Sequence, residues 1–119
     1  MYDEILLPTD GSEGAEKAID HALELAERYG STLHALYVVE RIHTADVGTE
    51  QIIEAMRSEG KRTVAEIAER AESKGIDAVT EVRVGSPARD ILKYADENGV
   101  DLVVMGTHGR TGLNRYLLG

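Results

Sequence analysis

Gly106, Gly109 and Gly112 recur at three-residue spacing near the end of the sequence, with Thr107, His108, Arg110 and Thr111 between them and Arg115 and Gly119 further on. They follow an unbroken run of strand-forming residues, Asp101-Leu-Val-Val-Met105. A glycine-rich turn leaving the carboxyl end of a buried strand brings backbone N–H groups close to an anion, because no Cβ stands in the way. Arg110, inside the loop, is better placed for such an anion than Arg115. The chemistry on offer is the holding of a phosphate tail such as that of a nucleotide. Acid–base catalysis fits less well: His108 has no nucleophile or acid partner in sequence and reads as a residue lining the pocket.

Other known phosphate loops are absent. There is no Gly-x4-Gly-Lys-Ser/Thr, and Gly11-Ser-Glu-Gly14 lacks the spacing of a dinucleotide-binding turn. His21, His34 and His43 show no metal-ligand spacing and read as structural or exposed. The sequence has no cysteine, which removes disulfides, thiolate metal sites and cysteine nucleophiles. A net charge of −9 disfavours non-specific binding to nucleic acid. It serves solubility, or adaptation to salt. With no Trp or Phe and five Tyr, a base-stacking platform for single strands is not expected either. No apolar run reaches the roughly 20 residues of a membrane span, and Met1-Tyr-Asp-Glu-Ile-Leu-Leu-Pro8 has no secretory pattern. Together these features predict a cytoplasmic protein.

The elements that must position the loop follow in order. Glu4–Pro8 reads as a strand. Ala15, Ala18, Ile19, Ala22, Leu23, Ala26 and Tyr29 give a helix, capped by Ser12 or Asp10 and stopped by Gly30. Leu33–Val39 is a second strand. A second helix spans about Glu50 to Lys74, with Ile53, Met56, Val64, Ile67, Ala68 and Ala71 inward, Glu66 and Arg70 paired on its surface, and Gly60 marking a bend or break. Val79–Val84 alternates apolar and polar residues, which suits an edge strand. Ser86-Pro87 starts a third helix with Ala88, Ile91, Leu92 and Ala95 inward, and Asn98-Gly99 stops it. Asp101–Met105 is the fourth strand. Alternating strands and helices predict an α/β fold, an open parallel sheet with helices on both faces. With the alternating strand at the edge the order is 3-2-1-4. The chain then reverses between strands 1 and 4, which is where open α/β sheets bind ligands. Pro8-Thr-Asp-Gly-Ser12 and the loop from Gly106 onward meet there.

The spacing Gly106-x2-Gly109-x9-Gly119, with Leu7-Pro-Thr-Asp-Gly-Ser12 and Val104-Met-Gly-Thr-His-Gly-Arg110, resembles the universal stress protein family in its ATP-binding branch. The resemblance spans the whole chain and implies one nucleotide-binding domain over residues 1–119, of the adenine-nucleotide alpha-hydrolase-like type. It implies a homodimer that binds ATP with Mg or Mn. By position, Asp10 lies near the ribose and the metal–phosphate region, and Pro8 and Thr9 shape that wall. Val38 meets the adenine. Met105 and Gly106 line the ribose side, His108 lines the loop, Gly109 and Arg110 approach the phosphates, and Gly119 closes the cradle. The family continues past its last glycine with a Ser or Thr, a helix and a fifth strand, and uses that strand at the dimer interface. These lie beyond Gly119, so the expectation is a fragment of a longer protein or a chain that has lost that part.

The residues identify no general base to activate water and no lysine or second carboxylate at the phosphates. The expected activity is a nucleotide-responsive stress or signalling module. A slow ATP hydrolase and a dimerising interaction protein that ignores nucleotide remain the alternatives.

Overall fold

The computed structural model describes residues 2–10, 15–40 and 49–106. Its elements are β1 (Glu4–Thr9), α1 (Ala15–Tyr29), β2 (Thr32–Glu40), α2 (Thr49–Glu72), β3 (Ala78–Gly85), α3 (Pro87–Glu97) and β4 (Leu102–Val103). The strands form one four-stranded sheet in the order β3-β2-β1-β4, and every pairing is parallel. Thus the sheet order expected from the alternation in β3 is the observed one. Each helix ends where a glycine adopts left-handed backbone that an L side chain resists: Gly30 at φ 65°, Gly75 at φ 76° and Gly99 at φ 61°. The cap expected at Ser12 lies outside the described residues.

Successive strand residues point to opposite faces, so the sheet carries two cores. On one face Ile5, Leu7, Leu33, Ala35, Tyr37 and Val39 pack with Ala18, Ala22 and Leu23 of α1 and with Val64, Ile67 and Ala71 of α2. On the other, Leu6, Leu36 and Met105 pack under Ile91 and Tyr94 of α3. Fully burying such a side chain stabilises the fold by roughly 1.5–3 kcal/mol.

The structure departs from the sequence expectations in particular places. Gly60 neither ends nor interrupts α2, which runs unbroken from Thr49 to Glu72. The glycine is there for space: a Cβ at Gly60 would lie 2.7 Å from Cδ1 of the buried Tyr37 ring. In α3 the buried residues are Ile91 and Tyr94, whereas Ala88 is exposed and Leu92 is 67 % exposed. The helix is rotated so that the Tyr94 hydroxyl reaches a partner on β2. Arg70 does not pair with Glu66; it bonds Asp20 at 2.8 Å and Glu16 at 3.3 Å, joining α2 to α1 across the exposed surface. Ser86 does precede α3, but its side chain makes no cap bond; the Asp90 carboxylate accepts the Ser86 N–H at 2.8 Å instead.

β4 is shorter than expected, pairing with β1 only at Ile5↔Leu102 and Leu6↔Val103. The cause lies in β1. Glu4 and Leu6 face β4 with their backbone groups, since Asp101 N donates to the Glu4 carbonyl and Val104 N to the Leu6 carbonyl, both at 2.9 Å. Pro8, two residues on, faces the same way and has no N–H to give, so the ladder stops there.

Candidate functional site

The carboxyl ends of β1, β2 and β4 bring the expected residues together. Thr9 is paired with Tyr37, so Val38 lies one step further along β2, level with Asp10. Continuing the pairing of Leu6 with Val103 places Met105 beside Pro8 and Gly106 beside Thr9. Pro8, Thr9 and Met105 are buried, whereas Asp10, Val38 and Gly106 are partly exposed. At this end of the sheet buried and partly exposed residues of three strands thus lie side by side. They lie at the reversal point, since α1 leaves β1 on one face of the sheet and α3 delivers the chain to β4 on the other. His108, Gly109, Arg110 and Gly119 lie outside the described residues.

The parting of the β1 and β4 strand ends has a local cause. Pro8 ends the β1–β4 ladder, so the strands are no longer hydrogen-bonded at the level where Met105 and Gly106 begin. Gly106 adds no side chain at the rim. Glu40, which the sequence reading leaves unassigned, closes β2 at the same end of the sheet and is exposed. It supplies a carboxylate there in addition to Asp10. Only its position at a strand end, not a motif, could have drawn attention to it. Among the described residues no group of three or more His, Cys, Asp or Glu gathers to hold a metal.

A polar network runs beneath α3, from Glu4 and His34 near the strand origins to Arg83, which is level with Val38. His34 of β2 is buried, with Nδ1 2.7 Å from the Tyr94 hydroxyl and Nε2 2.6 Å from Glu4 Oε1. The hydroxyl is both donor and acceptor, so it satisfies either ring tautomer. Burial, and then the charge of Glu81, push the Tyr94 phenol above its usual range. Arg83 of β3 stacks over the Tyr94 ring, 5.0 Å from its centroid, and bonds Glu97 of α3 at 2.9 Å and also Glu81. At the start of β4, the Asp101 carboxylate accepts the Asp3 and Glu4 N–H groups at 2.8 and 2.9 Å. Those bonds, Glu4 first, hold its pKa below the usual carboxylate value. These contacts fasten α3 and the strand origins to the sheet. His34 is thus a structural residue, as its lack of ligand spacing implied. His21 is exposed on α1, and His43 lies outside the described residues.

Comparison with known proteins agrees with this fold. The model of the universal stress protein family matches residues 1–119. Universal stress protein MJ0531 of Methanocaldococcus jannaschii is 37 % identical over all of this chain and 72 % of its own length. The solved structure of MJ0577 from the same organism superposes with a TM-score of 0.83 at 32 % identity, covering 100 % of this chain and 84 % of that one. A universal stress protein solved in complex with cAMP shares the fold, with a TM-score of 0.71 at 22 % identity over 89 % of this chain and 77 % of that one. Among the described residues no helix is long and apolar enough to cross a membrane.

Proposed function

This chain belongs to the universal stress protein family, and on that premise we propose that it binds ATP in the crevice between β1 and β4, as a homodimeric, nucleotide-responsive module of the cytoplasm. One observation carries the reading: Pro8, Thr9, Asp10, Met105 and Gly106, distant in sequence, converge at neighbouring strand ends where the chain reverses. Ligands of open α/β sheets occupy that position. The buried floor suits a flat apolar base, and the rim suits a ribose and phosphates.

In this reading the backbone at Val38 reads the adenine edge. Pro8 and Thr9 form the wall, and Met105 and Gly106 line the ribose side. Gly109 and Gly119 bring backbone N–H groups to the phosphates, His108 lines the loop, and Arg110 adds positive charge. Asp10 lies at the ribose and the metal. Mg²⁺ is commonly held by one or two carboxylates together with substrate phosphates and water. A single carboxylate at Asp10 fits such a cation, Mg or Mn, arriving with the nucleotide. The bound metal would neutralise phosphate charge.

The chain is read as a binding module, with at most slow hydrolysis. Phosphoryl transfer needs a group that orients the attacking water, and no residue of this chain has been assigned that role. Residues 1–119 act as one nucleotide-binding domain.

The test is thermal unfolding of the chain with millimolar ATP and Mg²⁺, since a ligand of the native state raises stability by mass action. Unfolding should shift upward, and Gly109→Val should remove the shift. cAMP in place of ATP tests whether the polyphosphate matters. An unchanged Tm with either nucleotide would overturn the reading in favour of an interaction protein. Turnover lost in Asp10→Ala while binding persists would favour the hydrolase.

A further inference from the structure

α2 carries a cation that the described residues do not satisfy. The residues that α2 buries are Ile53, Gly60, Val64, Ile67 and Ala71, and Arg57 stands in the same stripe, one turn before Gly60. Arg57 is half-buried, and its Nε is buried with no hydrogen-bond partner. Among the described residues no ion pair involves it. A buried donor in this state calls for an explanation, because nearly all such groups in folded proteins are bonded.

Its place in the fold supplies one. Arg70 bonds Glu16 and Asp20, so its flank of α2 faces α1. At about 3.6 residues per turn Arg57 falls on the other flank, together with Lys61 and Ala68. Gly60 rests on Tyr37 of β2, which is level with Val82 of β3, so that flank overhangs the outer side of β3. One turn before Gly60, α2 is nearer the carboxyl ends of the strands, and Arg57 comes level with Val84.

The edge below is open. Among the described residues β2 is the hydrogen-bonded neighbour of β3. Leu33 N donates to the Asp77 carbonyl, so the odd-numbered residues of β3 turn their N–H and C=O toward β2. Ala78, Thr80, Val82 and Val84 turn theirs outward. The strand has no lysine and no proline to blunt this edge. An extended peptide can therefore add to it as a strand. Directly opposed residues share a face of the sheet, so those opposite Thr80, Val82 and Val84 enter beneath the overhang of α2. Ala68 leaves room there for an apolar side chain. Arg57 favours a carboxylate opposite Val84, since a guanidinium bonded to a carboxylate is the stronger kind of hydrogen-bonded pair. Glu81 and Arg83 point to the other face and are already bonded, to each other and through Arg83 to Glu97. The net charge of −9 disfavours a polyacidic segment. The fit is a mostly neutral strand with one carboxylate.

We propose that the β3 edge binds an extended segment of a partner protein as an added strand, with a glutamate of that segment opposite Val84 and paired with the Arg57 guanidinium. This surface lies at the edge of the sheet away from β4. It requires neither nucleotide nor a second copy of the chain, and it leaves the β4 side open for one.

The probe is a short blocked peptide in which one glutamate is flanked by alternating threonine and valine, used beside versions with glutamine or lysine at that place. In amide hydrogen exchange the glutamate peptide should slow the Thr80, Val82 and Val84 amides. It should bind about tenfold more tightly than the glutamine version. Arg57→Gln should erase that difference, and Arg57→Glu should transfer the preference to the lysine peptide. Should the Arg57 variants fail to fold, Val82→Pro serves in their place: the N–H it removes points outward, so the sheet keeps its bonds while the added strand is lost. Exchange unslowed by any of the peptides, equal binding of the glutamate and glutamine versions, or undiminished binding to Val82→Pro would overturn the proposal.

Discussion

Gly60 of α2 lies flat against the ring of Tyr37 on β2, so close that a Cβ would stand 2.7 Å from Cδ1 and 2.9 Å from Cγ. Tyr37 is 2 % exposed, and Cγ sits at the base of the ring, so the side chain has little room to retreat. Helix propensity alone would favour alanine by about 1 kcal/mol. Overpacking opposes it by roughly 1–3 kcal/mol. Gly60→Ala is expected to lower stability in urea unfolding, with much of the loss recovered when Tyr37→Leu is added. A stabilised Gly60→Ala chain would show that the ring yields freely.

Pro8→Ala should restore an N–H facing β4 and lengthen the ladder. Stability should stay level or rise. ATP affinity should fall severalfold as the strand ends draw together. Isothermal titration beside thermal unfolding separates the two effects, and equal affinity in both chains would remove Pro8 from the site.

The Asp101 carboxylate titrates below its ordinary range because it accepts the Glu4 and Asp3 N–H groups. A depressed carboxylate contributes stability that is complete above the unfolded value and is lost as pH falls through the folded one. Asp101→Asn should therefore lower Tm at neutral pH, and the difference should close in strong acid. A difference that persists unchanged at pH ~2 would mean that the charge is not what matters.

Tyr94→Phe removes the hydroxyl 2.7 Å from His34 Nδ1 and leaves that buried nitrogen without its partner. The expected cost is about 1–3 kcal/mol, measurable in urea. The His34 ring resonances should shift in the same variant, because Nδ1 loses its hydrogen-bond partner. Unaltered resonances would place the hydrogen bond elsewhere.

The strand order was readable because its determinants are local: a helix stop such as Gly99 needs only its own left-handed backbone, and the alternation in Val79–Val84 marks an edge wherever it sits. The convergence of Asp10 with Gly106 followed from that order. The misreadings share a cause in partners far along the chain. Leu92 looked buried because its spacing fits the stripe, but α3 turns instead to satisfy Tyr94, whose partner His34 is 60 residues away. Gly60 resembled a break because its reason is the Tyr37 ring. Arg70 left its neighbour Glu66 for carboxylates 50 and 54 residues distant. Pro8 was picked out as wall, but its effect on the ladder depends on which way its missing N–H would have pointed.

The parting of β1 and β4 is thus set by an omission in the backbone. One hydrogen withheld from a central strand decides where two neighbours stop zipping together. That boundary is indifferent to pH, salt and side-chain rotamer, because nothing there can titrate, screen or rotate. Substitutions around these strand ends can change what meets there, but the place where the strands part is inherited from the ring of a single proline.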